Sequence, residues 1–268
     1  MWLLYTLIIL AVLYLLAIRG RSGHPGLQEL RGWYYAHRGL HGPGKPENSM
    51  AAFRAALEGG YGIELDVHLM KDGNLAIIHD SSLKRTAGVD VRIEDLAADE
   101  LDHYRLESTD EKIPLFSELL ELYAGKAPLI VELKCERNNV NELCAAACQL
   151  LDTYNGPYCV ESFDPRCVLW LKRNRPDIIR GQLAENWLKA KSMKLPWILK
   201  LALTCHLGNF LLMPDFTAYK YADRKVFGTD LCRKLWKVQG VSWTIQTKED
   251  FDIVVSEGWL PIFEGFIP

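Results

Sequence analysis

The sequence predicts an α/β protein: a TIM (β/α)8 barrel preceded by one transmembrane helix. Three observations carry that prediction. Apolar, strand-like runs alternate with amphipathic helical stretches from Trp33 to Phe263, the pattern of a parallel sheet whose strands are joined by helices. The strands that carry polar residues carry them at or near their C-terminal ends, the face at which such barrels hold active sites. Finally, Trp2 to Ile18 is a seventeen-residue, almost unbroken apolar run closed by Arg19-Gly20-Arg21. These features divide the chain into an anchor (1–19), a Gly/Pro/Ser-bearing linker (20–30) and a barrel (31–268). A domain of about 240 residues suits one large core and is short for two.

Seventeen residues is the short end of what crosses a hydrocarbon core of about 30 Å. No basic residue precedes the run and no small-x-small site follows it, so an uncleaved anchor is expected rather than a signal peptide. It shows no polar face, as a buried core helix normally would. Arg19 and Arg21 lie on its C-terminal side, which by the positive-inside rule places the barrel in the cytoplasm, on a single-pass protein of the cell membrane. Seven cysteines without Cys-x-x-Cys spacing fit a reducing compartment, with Cys144 and Cys148 packing on one helix face. A net charge of -3 and a pI near 6.2 lack the strongly basic footprint of a nucleic-acid binder.

Taken in order, Trp33 to His37 is the first strand. Asn48 or Ser49 caps a helix with Met50, Phe53 and Leu57 along one face, and Gly59-Gly60 ends it. In the second strand Glu64, Asp66 and His68 alternate with Ile63, Leu65 and Val67, so both carboxylates share a face. Asp72-Gly73 then marks a hairpin. As a two-residue turn it pairs positions that sum to 145, which sets Asp66 opposite His79. Residues 81–114 read as a polar loop with short helices between Ile93 and Leu101. A helix from Ser117 to Tyr123 leads to the third barrel strand, Pro128 to Lys134, whose Glu132 and Lys134 face the mouth. Leu143 to Tyr154 is helical, Tyr158 to Phe163 is the fourth strand, and Pro165 to Arg173 is the next helix. Ile178 to Leu183, Asp215 to Tyr219, Val241 to Ile245 and a run ending at Phe263 complete the eight.

Glu64, Asp66 and Glu132, from two strands of one barrel, would repel one another unless a cation sat between them; their oxygens suit a hard divalent ion, Mg²⁺ or Ca²⁺. Arg38 and Lys134 supply the positive charge a phosphodiester needs, Arg as a fork of donors and Lys as a point charge, although ion pairing to those carboxylates would also account for Lys134. His37 and His79 suit proton transfer near neutral pH. The residues leave open which is acid and which base. His68 shares the acidic face, and His41 follows the first strand. His24, His103 and His206 read as surface or packing residues.

In order, Ala36-His37-Arg38-Gly39, Pro46-Glu47-Asn48, Glu64-Leu65-Asp66, His79-Asp80 and Val131-Glu132-Leu133-Lys134 resemble the motifs of glycerophosphodiester phosphodiesterases. Ser162-Phe163-Asp164 and Ser242-Trp243-Thr244 are similar to that family's later strand ends. The resemblance runs from about Gly32 onward. It implies a barrel of the phosphatidylinositol-phospholipase-C-like phosphodiesterase type, of the bacterial membrane-anchored kind. It implies metal-dependent release of glycerol 3-phosphate and an alcohol from a small glycerophosphodiester, by attack of water or of the glycerol hydroxyl. Arg38, Lys134, Phe163 and Trp243 would bind substrate, and Asn48 would brace its loop. The chain departs from the family at its end, where Glu264 stands near the place of a usual Asp. Trp187 to Met213, apolar and rich in lysine (Lys189, Lys191, Lys194, Lys200), suits either a barrel helix with a long approach loop or a segment lying in a membrane interface. Two rival functions follow: a lysophospholipase D-like enzyme acting on membrane lysolipids, and a catalytically silent membrane-tethered binding domain.

Overall fold

A computed structural model describes residues 1–190 and 195–268 of the chain, so that Lys191 and Lys194 of the basic segment lie outside the described residues. The helices are α1 (Trp2–Ala17), α2 (Leu27–Leu30), α3 (Met50–Glu58), α4 (Lys84–Ala87), α5 (Phe116–Tyr123), α6 (Val140–Leu151), α7 (Pro165–Asn174), α8 (Trp197–Thr204), α9 (Asn209–Leu212), α10 (Phe227–Trp236) and α11 (Lys248–Ser256). The strands are β1 (Tyr35–His37), β2 (Gly62–Leu69), β3 (Leu75–Ile77), β4 (Leu129–Leu133), β5 (Tyr158–Ser162), β6 (Arg180–Ala184), β7 (Phe216–Lys220), β8 (Gln239–Ile245) and β9 (Leu260–Phe263). β1 pairs in parallel with both β2 and β9, which closes eight parallel strands into a barrel; β3 lies outside it, antiparallel to β2.

Strand alternation sorts the side chains. Leu65, Val67, Val131, Leu133 and Val160 point outward into the main core beneath the helices. Inside, Tyr35, Ile130, Cys159, Phe216, Val241 and Ile262 fill the base together with Leu27 and Leu30, so the expected linker contributes a short helix that plugs the barrel. Above that apolar floor the inward positions become polar: Glu64, Asp66, Glu132 and Glu161 are all buried. The site therefore sits on a packed floor at the C-terminal mouth. Gly181 is required by the floor, because a Cβ there would stand 2.1 Å from the Phe216 ring.

The hairpin differs from expectation. Val67 pairs with Ile77 and Leu69 with Leu75, so paired positions sum to 144 and Asp66 lies against Ile78, whose N–H donates to the Asp66 carbonyl (3.1 Å). Met70 and Asn74 close a three-residue loop in which Gly73 takes φ 88° and Asp72 bonds the Asn74 N–H (3.1 Å). A three-residue loop with glycine in the left-handed region competes with the two-residue turn and shifts the register by one. His79 thus follows the strand instead of facing Asp66 across it. The excursion after it is more than loop: Met70, Ile78, Leu83, Ile93, Leu101 and Ile113 form a satellite core.

At the chain start, α1 is sixteen residues, about 24 Å of helix, and among the described residues no helix is long and apolar enough to cross a membrane. None of its residues is buried. Ile18, just beyond, packs against Cys232 and Val238. Arg21 pairs with the buried Asp215 (2.5 Å) at the foot of the barrel. All seven cysteines are free.

Candidate active site

Glu64 and Asp66 occupy alternate inward positions of β2, and parallel pairing sets Asp66 beside Glu132 of β4. One oxygen from each of these three carboxylates lies within 4.8 Å of the others. Lys134, just past β4, places Nζ 2.9 Å from Asp66 Oδ1 and 2.8 Å from Glu132 Oε1. The lysine therefore takes part of the neutralising role expected of a metal. Arg38 leaves β1 at φ 54°; its N–H donates to Glu64 (3.3 Å), its Nη1 to Glu47 (3.0 Å), and its Nε lies 3.4 Å from Asp66. Asn48, also at φ 54°, donates Nδ2 to Asp66 (2.8 Å), so it braces the site as well as the loop.

Charge is not balanced within this cluster. Four buried carboxylates, Glu161 included, face only the two cations Arg38 and Lys134, and beside them Glu47 and Asp80 outnumber Arg85. Burial, with Asp66 and Glu132 adding to it, pushes the Glu64 carboxyl well up. Glu132 rises by burial to about 7 although Lys134 opposes it. Burial acts on Asp66 in the same sense, but Lys134, His79 and Arg38 outweigh it and hold that carboxyl well below the usual range. A divalent cation fits this excess of carboxylates: the donors are all oxygen, and Asn48 Oδ1 and Glu161 Oε2 are buried without a partner.

Two imidazoles reach the same small pocket of about 40 Å³, lined by His37, Arg38, Glu64, His79, Glu132, Phe163 and Trp243 among others. His37 Nδ1 is bonded to Glu264, and its Nε2 lies 3.9 Å from Glu64. His79 Nδ1 is bonded to Asp80 (2.7 Å). His37 lowers the Glu264 pKa through that bond, and Asp80 is lowered too, burial being outweighed there by Arg85 and His79. Both carboxylates are thus ionised and can only accept, so each Nδ1 carries the proton and each Nε2 is left with a lone pair. Burial lowers the pKa of both histidines, with Glu264 opposing at His37 and Asp66 at His79. His68 stands behind, bonded to Glu94 (2.8 Å) and the His79 carbonyl (3.2 Å). His41 borders the pocket 3.9 Å from Glu264. His206 is a packing residue bonded to Thr229 (2.8 Å).

Phe163 and Trp243 meet edge to face, 5.6 Å between centroids, and combine the two roles open to them, pocket wall and partly buried packing. Sequence reasoning missed Glu161 outright. It shares the inward parity of Cys159 on β5 and pairs with Glu132, a signal available once the faces of that strand are assigned. The link from Arg85 to Glu47 (2.7 Å) and Asp80 (2.5 Å) was likewise unforeseen.

Comparison with known proteins bears on this site. The Glycerophosphoryl diester phosphodiesterase family pattern matches residues 37–229. A Caldanaerobacter subterraneus protein named Glycerophosphodiester phosphodiesterase is 28% identical over 236 residues, covering 83% of this chain and 89% of that protein. A protein of the same name from Bacillus altitudinis is 40% identical over 111 residues, 39% of this chain and 45% of its own length. Rat Lysophospholipase D GDPD1 is 36% identical over 118 residues, 39% of this chain and 37% of its own, so these two matches span less than half of either relative. Among solved structures, an Oleispira antarctica phosphodiesterase in complex with sn-glycerol-3-phosphate superposes with a TM-score of 0.72 at 24% identity, covering 91% of this chain and 95% of that one. With the pattern matched across well over half of its length, this chain belongs to the glycerophosphoryl diester phosphodiesterase family, whose members are phosphoric diester hydrolases.

Proposed function

We propose that the protein hydrolyses glycerophosphodiesters to glycerol 3-phosphate and an alcohol, with His37, His79, Arg38 and Lys134 acting around a divalent cation. The observation that carries this is two carboxylate-backed imidazoles and a guanidinium converging over the buried cluster of Glu64, Asp66 and Glu132. The names of the relatives and the sn-glycerol-3-phosphate held by the Oleispira antarctica phosphodiesterase support the substrate class.

The Arg38 guanidinium and the Lys134 ammonium attract the phosphodiester and stabilise charge that grows on it in the transition state. Glu264 and Asp80 fix the ring tautomers, so the Nε2 lone pairs are free to move protons. One imidazole takes the proton from the nucleophile, water or the substrate's own glycerol hydroxyl; the other, protonated, returns one to the departing oxygen. Phe163 and Trp243 wall the pocket and limit water. Bound by Glu64, Asp66 and Glu132, Mg²⁺ or Ca²⁺ would supply Lewis-acid neutralisation of the phosphoryl oxygens.

Attachment to the cell membrane through α1, with the barrel on the cytoplasmic side, belongs to the same proposal. Its support is the bare apolar surface of α1 and the seven free cysteines. Incubating the purified full chain with glycerophosphocholine and glycerophosphoethanolamine, with and without chelator, tests the activity. Chelator-sensitive release of glycerol 3-phosphate is expected. No release with either metal would leave the silent, tethered binding domain as the better reading.

A further inference from the structure

We propose a second metal site, made by His37 Nδ1, His41 Nε2 and a Glu264 oxygen, that takes Zn²⁺ and silences the enzyme when filled. One ligand atom from each of these residues lies within 4.8 Å of the other two. Parallel pairing of Ala36 with Phe263 brings the residues that follow them, His37 and Glu264, side by side where the barrel closes, and the two are hydrogen-bonded. That bond needs no third member, yet His41 supplies one. Its Nε2 is buried, has no hydrogen-bond partner among the described residues, and lies 3.9 Å from Glu264 Oε2. This is too long for a hydrogen bond and close to the roughly 3.3 Å that separates two ligand atoms on one tetrahedral zinc. Two imidazole nitrogens and a carboxylate suit a borderline ion such as Zn²⁺, whereas the all-oxygen cluster of Glu64, Asp66 and Glu132 suits a hard one. The three side chains keep 14%, 23% and 27% of their surface exposed, so an ion from solution reaches them.

The backbone holds these donors in place. Gly39, at φ 78°, is pressed against α3, where a Cβ would stand 2.9 Å from the Ala52 backbone. The Leu40 N–H donates to the Ala52 carbonyl (3.0 Å) and the His41 N–H to the Gly39 carbonyl (2.9 Å), while the Glu264 N–H donates to the Ile245 carbonyl (2.9 Å). The effect on catalysis, which rests on the phosphodiesterase reading, follows from His37 standing between two sites: Nδ1 faces Glu264, and Nε2 lies 3.9 Å from Glu64. Zinc takes the place of the proton on Nδ1. A neutral imidazole carries one proton, so that proton passes through water to Nε2. Glu264 exchanges the hydrogen bond it accepted for a bond to the ion, and water fills the fourth position. The imidazole neither loses nor gains a proton in this exchange. Its Nε2 now holds an N–H in place of a lone pair and accepts nothing from the nucleophile. With the metal on Nδ1 it takes up no second proton either, so His37 no longer cycles between acid and base.

The full chain, saturated with Mg²⁺, should be titrated with Zn²⁺ by calorimetry and with Co²⁺ by visible absorption, beside His41→Ala and the bulkier His41→Gln. Wild type should bind Zn²⁺ and show the visible bands of four-coordinate Co²⁺. Both variants should lose those bands and bind Zn²⁺ more than about a hundredfold less tightly, since removing even an outer-shell partner of a metal costs about 10- to 100-fold in affinity. Glycerophosphocholine turnover by wild type should fall as Zn²⁺ is added and should not recover when Mg²⁺ is raised. The variants should keep the Mg²⁺-supported turnover and escape the inhibition. Equal Zn²⁺ affinity and equal Co²⁺ spectra in wild type and both variants overturn the site. Inhibition that Mg²⁺ relieves equally in all three proteins assigns the effect to the carboxylate cluster and overturns the silencing, as does Zn²⁺ binding that depends on His41 and leaves turnover intact. If wild type cleaves no diester with any metal, the phosphodiesterase reading falls, and the two titrations still decide whether the site exists.

Discussion

His37 and His79 are built alike, each with Nδ1 tied to a carboxylate and Nε2 turned to the pocket, whereas Glu64 and Glu132 offer only oxygens to it. The two classes should respond differently to substitution. His37→Ala or His79→Ala should reduce turnover by roughly 10² to 10⁴ while leaving metal affinity nearly unchanged. Glu64→Gln and Glu132→Gln should weaken metal binding, with part of the activity recovered by added Mg²⁺ or Ca²⁺. Calorimetric titration of the metal alongside rates at saturating metal separates these outcomes. Full turnover by His79→Ala at saturating metal would remove that residue from the mechanism.

Individual elements are held by close steric and electrostatic fits. β6 passes so near the Phe216 ring of β7 that Gly181→Ala should destabilise the barrel by about 1–3 kcal/mol, since a buried ring must shift to admit the methyl. Phe216→Leu in the same chain should recover part of the loss, and urea unfolding of the single and double variants measures the coupling. α4 is tied to the Pro-Glu-Asn loop by Arg85, which bonds Glu47 and Asp80. Burial raises the Glu47 pKa, but Arg85 and Arg38 outweigh it and hold it lowered, and Asp80 is lowered too. A carboxylate with a depressed folded pKa stabilises above its unfolded value and loses that contribution as pH falls through the folded one. Arg85→Ala should therefore cost up to about 1 kcal/mol near neutral pH, discounted for the half-exposed guanidinium. The difference from wild type should shrink below a pH of about 4, as denaturant midpoints across pH would show.

For the molecule as a whole, the proposed attachment through α1 has a consequence that can be tested, because the net charge of -3 offers no strong attraction to an anionic surface. Arg21 is committed to Asp215 and Arg19 stacks on Trp236 (5.3 Å), so the basic flank of α1 belongs to the base of the fold. On that proposal, apolar contact by Trp2 to Leu13, all exposed, would be the main attachment force. Deleting those residues should move the protein from the membrane pellet to the supernatant while the barrel keeps its chelator-sensitive cleavage of glycerophosphocholine. In intact cells, an impermeant thiol reagent should leave Cys135 and Cys205, the two partly exposed cysteines, unmodified. Ready labelling would place the barrel on the outer side and leave the chemistry intact.

Local pattern alone carried much of this. Alternation around Glu64 and Asp66 assigned them to one inward face, Ser49 capped its helix as expected by accepting from the Ala52 N–H (3.2 Å), and the strand ends marked the mouth. Such features depend on hydrogen bonding and solvent partition within a few residues, which is why they are legible along the chain. The hairpin register was decided by which of two turns Lys71 to Asn74 would adopt, a choice made by Gly73 in the left-handed region and by Asp72 docking on the Ala98 N–H (2.8 Å). Glu161 comes beside Glu132 through the parallel register of β4 with β5, and Glu264 stands behind His37, across 227 positions of chain, only because the barrel closes through β1 and β9. Contacts of that kind are set by closure of the whole sheet and the packing of its floor, which no local window contains.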